Sequence, residues 1–391
     1  MLIDMKILMK TLKISLLVVG LLLVGVVITA YSLDMDYLLK GVRTIYLQGH
    51  QTAFLGDYKE FDNRTIKNAP DQRQPWAQHQ HYNQKAIPDI LQQTHQELGT
   101  VAFLIIKNDS LLHEYYAEGY DANSHTNSFS MAKSIVTAAL GHAIKEGKIK
   151  SLDQKVVDFL PELKGKYASD LSVGDLSSMA SGLAWDENYY SPFSITTKAY
   201  FYDDLDKMML ELEVSEPPSQ RFHYLSGNTQ LLGMVIEKAT QMPLADYISE
   251  SFWKPLGAEN PAFWQLDSEN GTEKAYCCIA SNARDFARFG KLFKDLGHWN
   301  GKQILDTAFV QTCIRPRFAD SPEYGYGFWL SNYKNKAIFY LRGHLGQNVI
   351  VIPEDNLIIV RLGHQNGGKS ENDPHDRDFY TYIDQAYQML P

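Results

Sequence analysis

Strand patterns lie at both ends of the chain and helical patterns lie between them, and this order constrains the fold more than any other feature. Residues 101–106 are typical of a buried strand, 108–109 of a turn, and 111–117 of the hairpin partner. Later strand patterns cover 325–330, 337–341, 349–353 and 357–362. A turn as short as 353–356 favours antiparallel pairing, because parallel neighbours need long crossovers. The order predicts one antiparallel sheet built from both chain ends.

Helical periodicity fills the middle of the chain and closes it. It predicts helices over 87–98, from Ser130 to about Gly147, over 229–239, over 283–296 behind an Asn282 cap, and over 376–389. A length of 391 residues favours two domains. The predicted fold is therefore α/β (α+β). Residues 87–160 and 265–391 form an antiparallel sheet flanked by helices, and 161–264 form an inserted, mostly helical domain.

The N-terminal residues predict a membrane segment. Lysines in residues 1–13 precede an uncharged run over 14–33, and acidic residues follow at Asp34 and Asp36. A helix of this length spans about 30 Å, the thickness of the hydrocarbon core of a bilayer. The charge order predicts a cytoplasmic tail, a single-pass anchor in the cytoplasmic membrane, and an exported body in the periplasm or outside the cell. A cleaved signal peptide is the alternative. Residues 34–86 show no sustained period and are interpreted as a tether or linker.

Composition excludes several partner classes. The net charge is −9 and no basic run follows the N-terminal tail, so the chain is not expected to bind nucleic acid. His79 and His81 lack the surrounding ligands of a metal centre, and no metal site is predicted. Cys277, Cys278 and Cys313 are interpreted as small buried side chains, because adjacent cysteines rarely bridge each other. A bridge to Cys313 is left open.

Ser130 and Lys133 are the strongest candidates for chemistry. Their spacing places both side chains on one face of a helix, about one turn apart. A serine at a helix start lies near unpaired N–H groups, and a buried lysine that loses its proton can activate it. The same Ser-x-x-Lys spacing occurs at Ser251 and Ser331, so the pair is informative only in context.

Further polar motifs next to glycine supply that context. They are Ser181-Gly-Leu183, Tyr224-Leu-Ser226 before a helix, and His344-Leu-Gly346 at a strand edge. With Ser130-Met-Ala-Lys133, their order resembles the serine β-lactamase and penicillin-binding protein superfamily. The likeness is strongest to its class C-like branch of esterases and 6-aminohexanoate-dimer hydrolases. It covers residues from about 98 to 363.

The resemblance implies a serine hydrolase that acts on a small ester or amide through an acyl-enzyme. Ser130 would be the nucleophile, and Lys133 and Tyr224 would share the proton, with the base left unassigned. The N–H groups of Ser130 and Gln347, the latter after Gly346, would hold the oxyanion. The resemblance implies no metal or organic cofactor.

Two departures from the family pattern bear on the substrate. Ser226 stands where lactam-hydrolysing enzymes usually carry Asn, and His344 stands where many carry Lys. Both favour esters or amides without an obligatory carboxylate, with Trp185 and Tyr189 as candidates to line an apolar pocket. The alternatives are a D-Ala-D-Ala carboxypeptidase or β-lactamase, and a penicillin-recognising sensor that does not turn over. The nearby acids Asp186 and Glu187 are interpreted as solvated charge.

Overall fold

The computed structural model describes residues 5–391. The α-helices are α1 (Met5–Ser32), α2 (Tyr37–Thr44), α3 (Asp89–Glu97), α4 (Met131–Lys145), α5 (Val173–Ser177), α6 (Ile195–Phe201), α7 (Leu205–Leu210), α8 (Ser226–Thr240), α9 (Leu244–Ile248), α10 (Ala283–Lys294), α11 (Thr307–Cys313) and α12 (Arg377–Met389). The strands are β1 (Asn63–Ile66), β2 (Ala77–Gln78), β3 (Thr100–Lys107), β4 (Ser110–Tyr116), β5 (Thr126–Asn127), β6 (Ala262–Gln265), β7 (Ile279–Ser281), β8 (His298–Trp299), β9 (Lys302–Gln303), β10 (Trp329–Tyr333), β11 (Lys336–Gly343), β12 (Gln347–Ile352) and β13 (Leu357–Gly363).

A seven-stranded sheet contains strands from both ends of the chain. Its order is β10-β11-β12-β13-β3-β4-β2, antiparallel throughout except for the short parallel pair of β2 with β4. Along β3, Phe103 and Ile105 pack into one buried cluster, whereas Leu104 and Ile106 pack into another on the opposite face. Apolar clusters therefore lie on both faces of the sheet. The predicted fold class is confirmed.

Most predicted elements lie within a few residues of the observed ones. Asn282 caps α10 as expected, accepting from the Asp285 N–H. The strand predicted over 325–330 is wrong, because the observed strand is Trp329–Tyr333. Gly327 adopts a φ of +75°, which turns the chain just before that strand begins. The sequence shows the apolar character of this segment but does not show the turn within it.

Residues 34–86, interpreted as a tether, carry structure of their own. Strand β1 pairs with β6 in a second, four-stranded sheet, and β2 pairs with β4. Asp57 is fully buried and accepts hydrogen bonds from Tyr200, Asn127 and Gln265. The sequence hides these contacts because each partner lies tens to hundreds of residues away.

The structure pairs two of the three cysteines. Cys277 and Cys278 form a disulfide with each other, and Cys313 is buried and free, so the expectation of unbridged adjacent thiols is wrong. One local turn brings the pair together, with the Cys277 N–H donating to the Lys274 carbonyl.

Helix α1 is exposed on all sides over Ile7–Ser32. By its length and composition this segment is long and apolar enough to cross a membrane.

Candidate active site

Ser130 is the N-cap residue of α4, but its hydroxyl does not cap the helix. The turn before it is strained, because Phe129 is buried with a φ of +44°. Asn127 holds that turn by accepting from the Phe129 N–H (2.9 Å) while its amide donates to Asp57 (2.8 Å). The Ser130 hydroxyl is therefore left available for chemistry at a fixed position.

Lys133 lies one turn further along α4 and is 2% exposed. Its Nζ donates to Ser130 Oγ at 3.0 Å and to the Tyr276 carbonyl at 2.8 Å. Burial lowers the pKa of Lys133 to about 8, and the nearby Glu187 charge opposes that shift. About a tenth of such a lysine is neutral at pH 7, so it can accept a proton from Ser130.

Tyr224 lies on the other side of the same lysine. Lys133 Nζ is 5.2 Å from the centroid of its ring. Burial raises the pKa of Tyr224, as does the Glu187 charge, whereas its interaction with Ser130 and the Arg342 charge lower it. The net direction is upward, so the phenol keeps its proton near neutrality and can donate it.

Glu187 is held by four donors and is not the solvated charge that the sequence indicated. The Ser226 N–H and hydroxyl each donate to its carboxylate at 2.6 Å. The Trp185 indole donates at 2.8 Å, and the Tyr189 hydroxyl also donates. Its position between the aromatic residues 185 and 189 was the sequence signal, since a carboxylate among aromatic side chains tends to be hydrogen-bonded.

His344 begins a short 3₁₀ turn, His344–Gly346, that joins β11 to β12. Its ring stacks on Tyr189 (5.7 Å between centroids) and contacts Phe129 edge-on (5.6 Å). Burial lowers its pKa, which favours the neutral imidazole. Gly343, just before it, has no room for a side chain, because a Cβ there would lie 2.1 Å from the Ser128 carbonyl oxygen. The turn therefore lies directly against the segment that carries Ser130.

Gly346 and Gln347 lie deeper than predicted. Both are buried, and the Gln347 amide donates to the Gly363 carbonyl (2.7 Å) and the His344 carbonyl (3.1 Å). Neither residue lines a cavity next to Ser130. His344, three residues before Gln347, lines both cavities that contain Ser130.

Two cavities meet at Ser130, Tyr189 and His344. The first, the apolar cavity, has a volume of about 430 Å³. Its lining includes the apolar side chains of Leu38, Val42, Ile45, Phe129, Pro192, Phe193 and Phe201, and also Tyr276 and Cys277. The second, the polar cleft, has a volume of about 250 Å³ and is lined by Ser130, Glu187, Tyr189, Tyr224, Trp329, Arg342, Gly343, His344, Asn366 and Lys369. The serine is thus reached from two chemically different sides.

The remaining predicted lining residues divide. Tyr189 borders both cavities and is 42% exposed. Ser226 borders the apolar cavity, but its hydroxyl is committed to Glu187. Trp185 borders neither, because it is packed in the core against Gly227. Trp185 thus supports Glu187 and does not line a pocket.

Two cations in the polar cleft were missed from the sequence. Arg342 pairs with Asp376 at 2.7 Å, and Lys369 lies 5.9 Å from the Trp329 ring centroid. The residue at 344 is not a lysine, but other positions supply cations to the same cleft. Neither residue belongs to a motif of the resemblance, and Lys369 also lies beyond the part of the chain that carries it. Within the described part of the chain, no group of three or more metal-ligating side chains is found.

The site combines a Ser-x-x-Lys pair at the start of a helix, a tyrosine, and the His344–Gly346 turn at the edge of an antiparallel sheet. This combination defines the serine β-lactamase and penicillin-binding protein class. A family model described as β-lactamase matches residues 77–381, and the chain belongs to that family. The protein is a β-lactamase-fold hydrolase. The superfamily expected from the sequence motifs is confirmed.

Individual relatives are more distant. The chain is 26% identical over 299 residues to the 6-aminohexanoate-dimer hydrolase of Paenarthrobacter ureafaciens, covering 71% of this chain and 75% of that one. A solved structure described as a 6-aminohexanoate-dimer hydrolase from Bacillus anthracis superposes on this chain with a TM-score of 0.68 and 24% sequence identity. The match covers 85% of this chain and 92% of that one. A penicillin-binding protein of Bacillus halodurans has a TM-score of 0.58 and 16% identity, over 78% and 99%. The two structures share the fold.

Proposed function

We propose that the protein is a serine hydrolase that cleaves a small ester or amide through an acyl-enzyme on Ser130. The observation that carries the proposal is the 3.0 Å contact between Lys133 Nζ and Ser130 Oγ at the mouth of two cavities. A nucleophile within hydrogen-bond reach of a base is the geometry that covalent catalysis needs. The relationship to a 6-aminohexanoate-dimer hydrolase supports an amide or ester as the substrate class.

Lys133 is the base in this proposal. Its lowered pKa supports the role, because a neutral amine can take the serine proton as Oγ attacks the carbonyl. Tyr224, whose pKa is raised, then donates its proton to the departing alcohol or amine and recovers one from Lys133. Water then attacks the acyl-enzyme, the same proton transfers run in reverse, and the carboxylic acid is released.

The oxyanion is held by backbone N–H groups. The Ser130 N–H, at the N-terminus of α4, is the first proposed donor, and the position of Ser130 at the N-cap supports this. We assign the second donor to the 343–347 turn and favour the His344 N–H over that of Gln347, because His344 lines both cavities and Gln347 is buried behind it. One such donor contributes about 3–4 kcal/mol.

Helix α1 is proposed to anchor the protein in the cytoplasmic membrane, with the hydrolase outside the cytoplasm. Its length and composition support this, and so does the order of charges around it. A signal sequence passes the same tests and is the alternative. Recovery of the protein in the membrane fraction at full-length mass supports an anchor, whereas a mature N-terminus near residue 33 contradicts it.

A carboxylate-bearing substrate is the second candidate. Arg342 and Lys369 in the polar cleft favour it, since β-lactams and peptide C-termini carry a carboxylate. In that case the protein would be a peptidase or β-lactamase, or a sensor that is acylated without turnover.

One experiment separates these functions. Full-length protein is incubated with p-nitrophenyl acetate and with a fluorescent penicillin, beside Ser130→Ala and the matched variant Ser331→Ala from a Ser-x-x-Lys pair outside the site. We expect rapid ester turnover that is lost only in Ser130→Ala. A stable penicillin adduct without turnover supports the sensor instead. Ester hydrolysis that survives in Ser130→Ala overturns the nucleophile assignment.

A further inference from the structure

The outer wall of the apolar cavity contains none of the sequence motifs and comes from α2 and the residues just after it. Leu38 and Val42 of this helix line the cavity that reaches Ser130, as do Ile45 and Tyr46 just after the helix. A wall of large apolar side chains binds apolar groups, and a volume of about 430 Å³ falls within the range of ligand pockets. The apolar side of the site is therefore completed by residues that follow closely after α1, the predicted membrane helix.

Helix α2 is fixed to the body of the protein. Tyr37 and Ile45 pack with Phe61 and Phe201 in a separate buried cluster. The Tyr37 hydroxyl donates to the Pro192 carbonyl at 3.1 Å. Because these contacts bury both ends of the helix, the cavity wall is a permanent feature of the fold.

A second, ion-paired contact fixes the junction between α1 and α2. Asp34 pairs with Lys198 at 2.6 Å, just after α1 ends. Tyr202 also donates to Asp34, at 3.2 Å. The direction in which α1 leaves the body is therefore defined by named contacts on α6 and the residue after it.

A second apolar space lies along α1 and shares one lining residue, Leu38, with the apolar cavity. A groove of about 470 Å³ follows the C-terminal half of α1, from Leu21 to Leu33 and then Met35, and it ends at Leu38. Leu38 also lines the apolar cavity, so the two spaces share a wall. Only residues 33–36 separate the two helices. An apolar surface therefore runs from the predicted membrane segment to the vicinity of Ser130.

The rim of the cavity on this side carries large exposed apolar side chains. Leu47 is 74% exposed and Tyr46 is 62% exposed at the end of α2, and across the opening Tyr190 and Phe193 are 85% and 69% exposed. Exposed aromatic and aliphatic clusters of this kind mark a membrane or partner surface, and tyrosines favour the bilayer interface. Their position next to α1 favours the bilayer.

We infer that the substrate is a membrane amphiphile, an ester or amide whose acyl chain enters the apolar cavity from the bilayer past α2. This inference rests on the proposed serine hydrolase function. Tyr224 lines the polar cleft and not the apolar cavity, so the leaving group lies in the cleft and the acyl chain lies opposite. The Ser130 Oγ–acyl bond forms as the C–O or C–N bond of the substrate breaks. The alcohol or amine leaves with the proton, and water then frees a fatty acid and restores the hydroxyl.

The test uses the full chain reconstituted in phosphatidylcholine vesicles. Rates are measured with p-nitrophenyl acetate in solution, with monomeric p-nitrophenyl octanoate in solution, and with a p-nitrophenyl ester of a long fatty acid embedded in the vesicles. Variants are Val42→Asp and Phe193→Asp, which place a charge on two different segments of the cavity wall. Ile90→Asp is the matched control, since Ile90 is 58% exposed on α3 and lines neither cavity.

We expect the long-chain embedded ester to be the best substrate by tenfold or more in kcat/KM. Each wall variant should lower the long-chain to acetate ratio at least tenfold, and Ile90→Asp should leave it within twofold. Equal ratios in wild type and both wall variants overturn the inference while leaving the proposed function intact. A preference for soluble octanoate over the embedded ester overturns the bilayer as the source. Loss of Ser130 dependence for every ester overturns the proposed function itself.

Discussion

The polar cleft and the apolar cavity meet at one serine, yet they are built from different parts of the chain. The cleft is lined by Ser130, Tyr224 and residues between 329 and 369, and it contains the charged side chains of Glu187, Arg342 and Lys369. The apolar cavity is formed largely by α2 and the 189–201 segment. The ionisable groups in its lining are tyrosines and His344. A reaction that moves protons needs the first environment, whereas recognition of an apolar group needs the second.

This difference separates chemistry from selectivity within a small volume. Lys133 and Tyr224 are proposed to take part in proton transfer. Burial shifts the pKa of each, and the Glu187 charge on the cleft side raises both pKa values. Substitutions in the cleft should therefore change rate and pH dependence, and substitutions in the apolar cavity should change the preferred acyl chain. Three of the predictions below test the cleft side of that division, and one, at Gly343, tests the turn that borders both cavities.

Replacing Lys133 with Met should have the largest effect. The apolar side chain fits the buried position but cannot accept the serine proton, so kcat/KM for p-nitrophenyl acetate should fall by about 10²–10⁴. Lys334→Met is the control, because Lys334 belongs to a Ser-x-x-Lys pair on the surface and should keep full activity. Activity in Lys133→Met within tenfold of wild type would show that another group is the base.

Replacing Gly343 with Ala should disturb both cavities at once. The new Cβ would meet the Ser128 carbonyl oxygen at 2.1 Å, so the turn at His344 or the segment before Ser130 must move. Overpacking of this kind costs about 1–3 kcal/mol in the free energy of unfolding, and displacement of the nucleophile should cost about 10²-fold in kcat/KM. Thermal unfolding and acetate hydrolysis measure the two effects. Gly56→Ala, where the added atom makes only ordinary contact, should show neither.

The pH dependence should report Lys133. The base acts in its neutral form, so kcat/KM should rise with pH up to about 8 and level off above it. Glu187→Gln removes the negative charge that raises the pKa of Lys133, so the rise should move to lower pH. Asp186→Asn, at the exposed neighbouring acid, should leave the profile in place. A shift to higher pH in Glu187→Gln would contradict the assigned base.

Replacing Lys369 with Gln should have the smallest effect. Lys369 is exposed at the cleft, and a contact of such a lysine with an anionic leaving group is worth about 0.2–1 kcal/mol. KM should rise about two- to fivefold for an ester with a carboxylate on its leaving group and stay unchanged for a neutral one. Lys302→Gln, at an exposed lysine outside both cavities, is the control. An equal change for both esters would show that the cleft does not distinguish charge.

The arrangement of the candidate catalytic residues could be predicted from the sequence because its determinants are local. Ser130 and Lys133 share one helix, and Tyr224 comes just before the start of another, so periodicity and motif order were sufficient. The sheet was predictable for a similar reason, since Phe103 and its neighbours form a long apolar run.

What the sequence could not show depends on contacts between distant residues. Glu187 looks like surface charge until Ser226, about forty residues later, is placed against it. Asp57 looks like part of a tether until Gln265 is placed beside it. Trp185 was expected in a pocket, because an exposed loop and a core position give the same aromatic signal.

Intact-protein mass spectrometry tests the central claim most directly. Wild-type protein is mixed with a p-nitrophenyl ester and quenched in acid within the first turnovers, and peptide mapping then locates the added mass. We predict a single acyl group on Ser130, absent in Ser130→Ala and present in Ser331→Ala. An acyl group on any other residue, or turnover with no acylated protein under conditions that trap a covalent inhibitor on Ser130, would contradict the account.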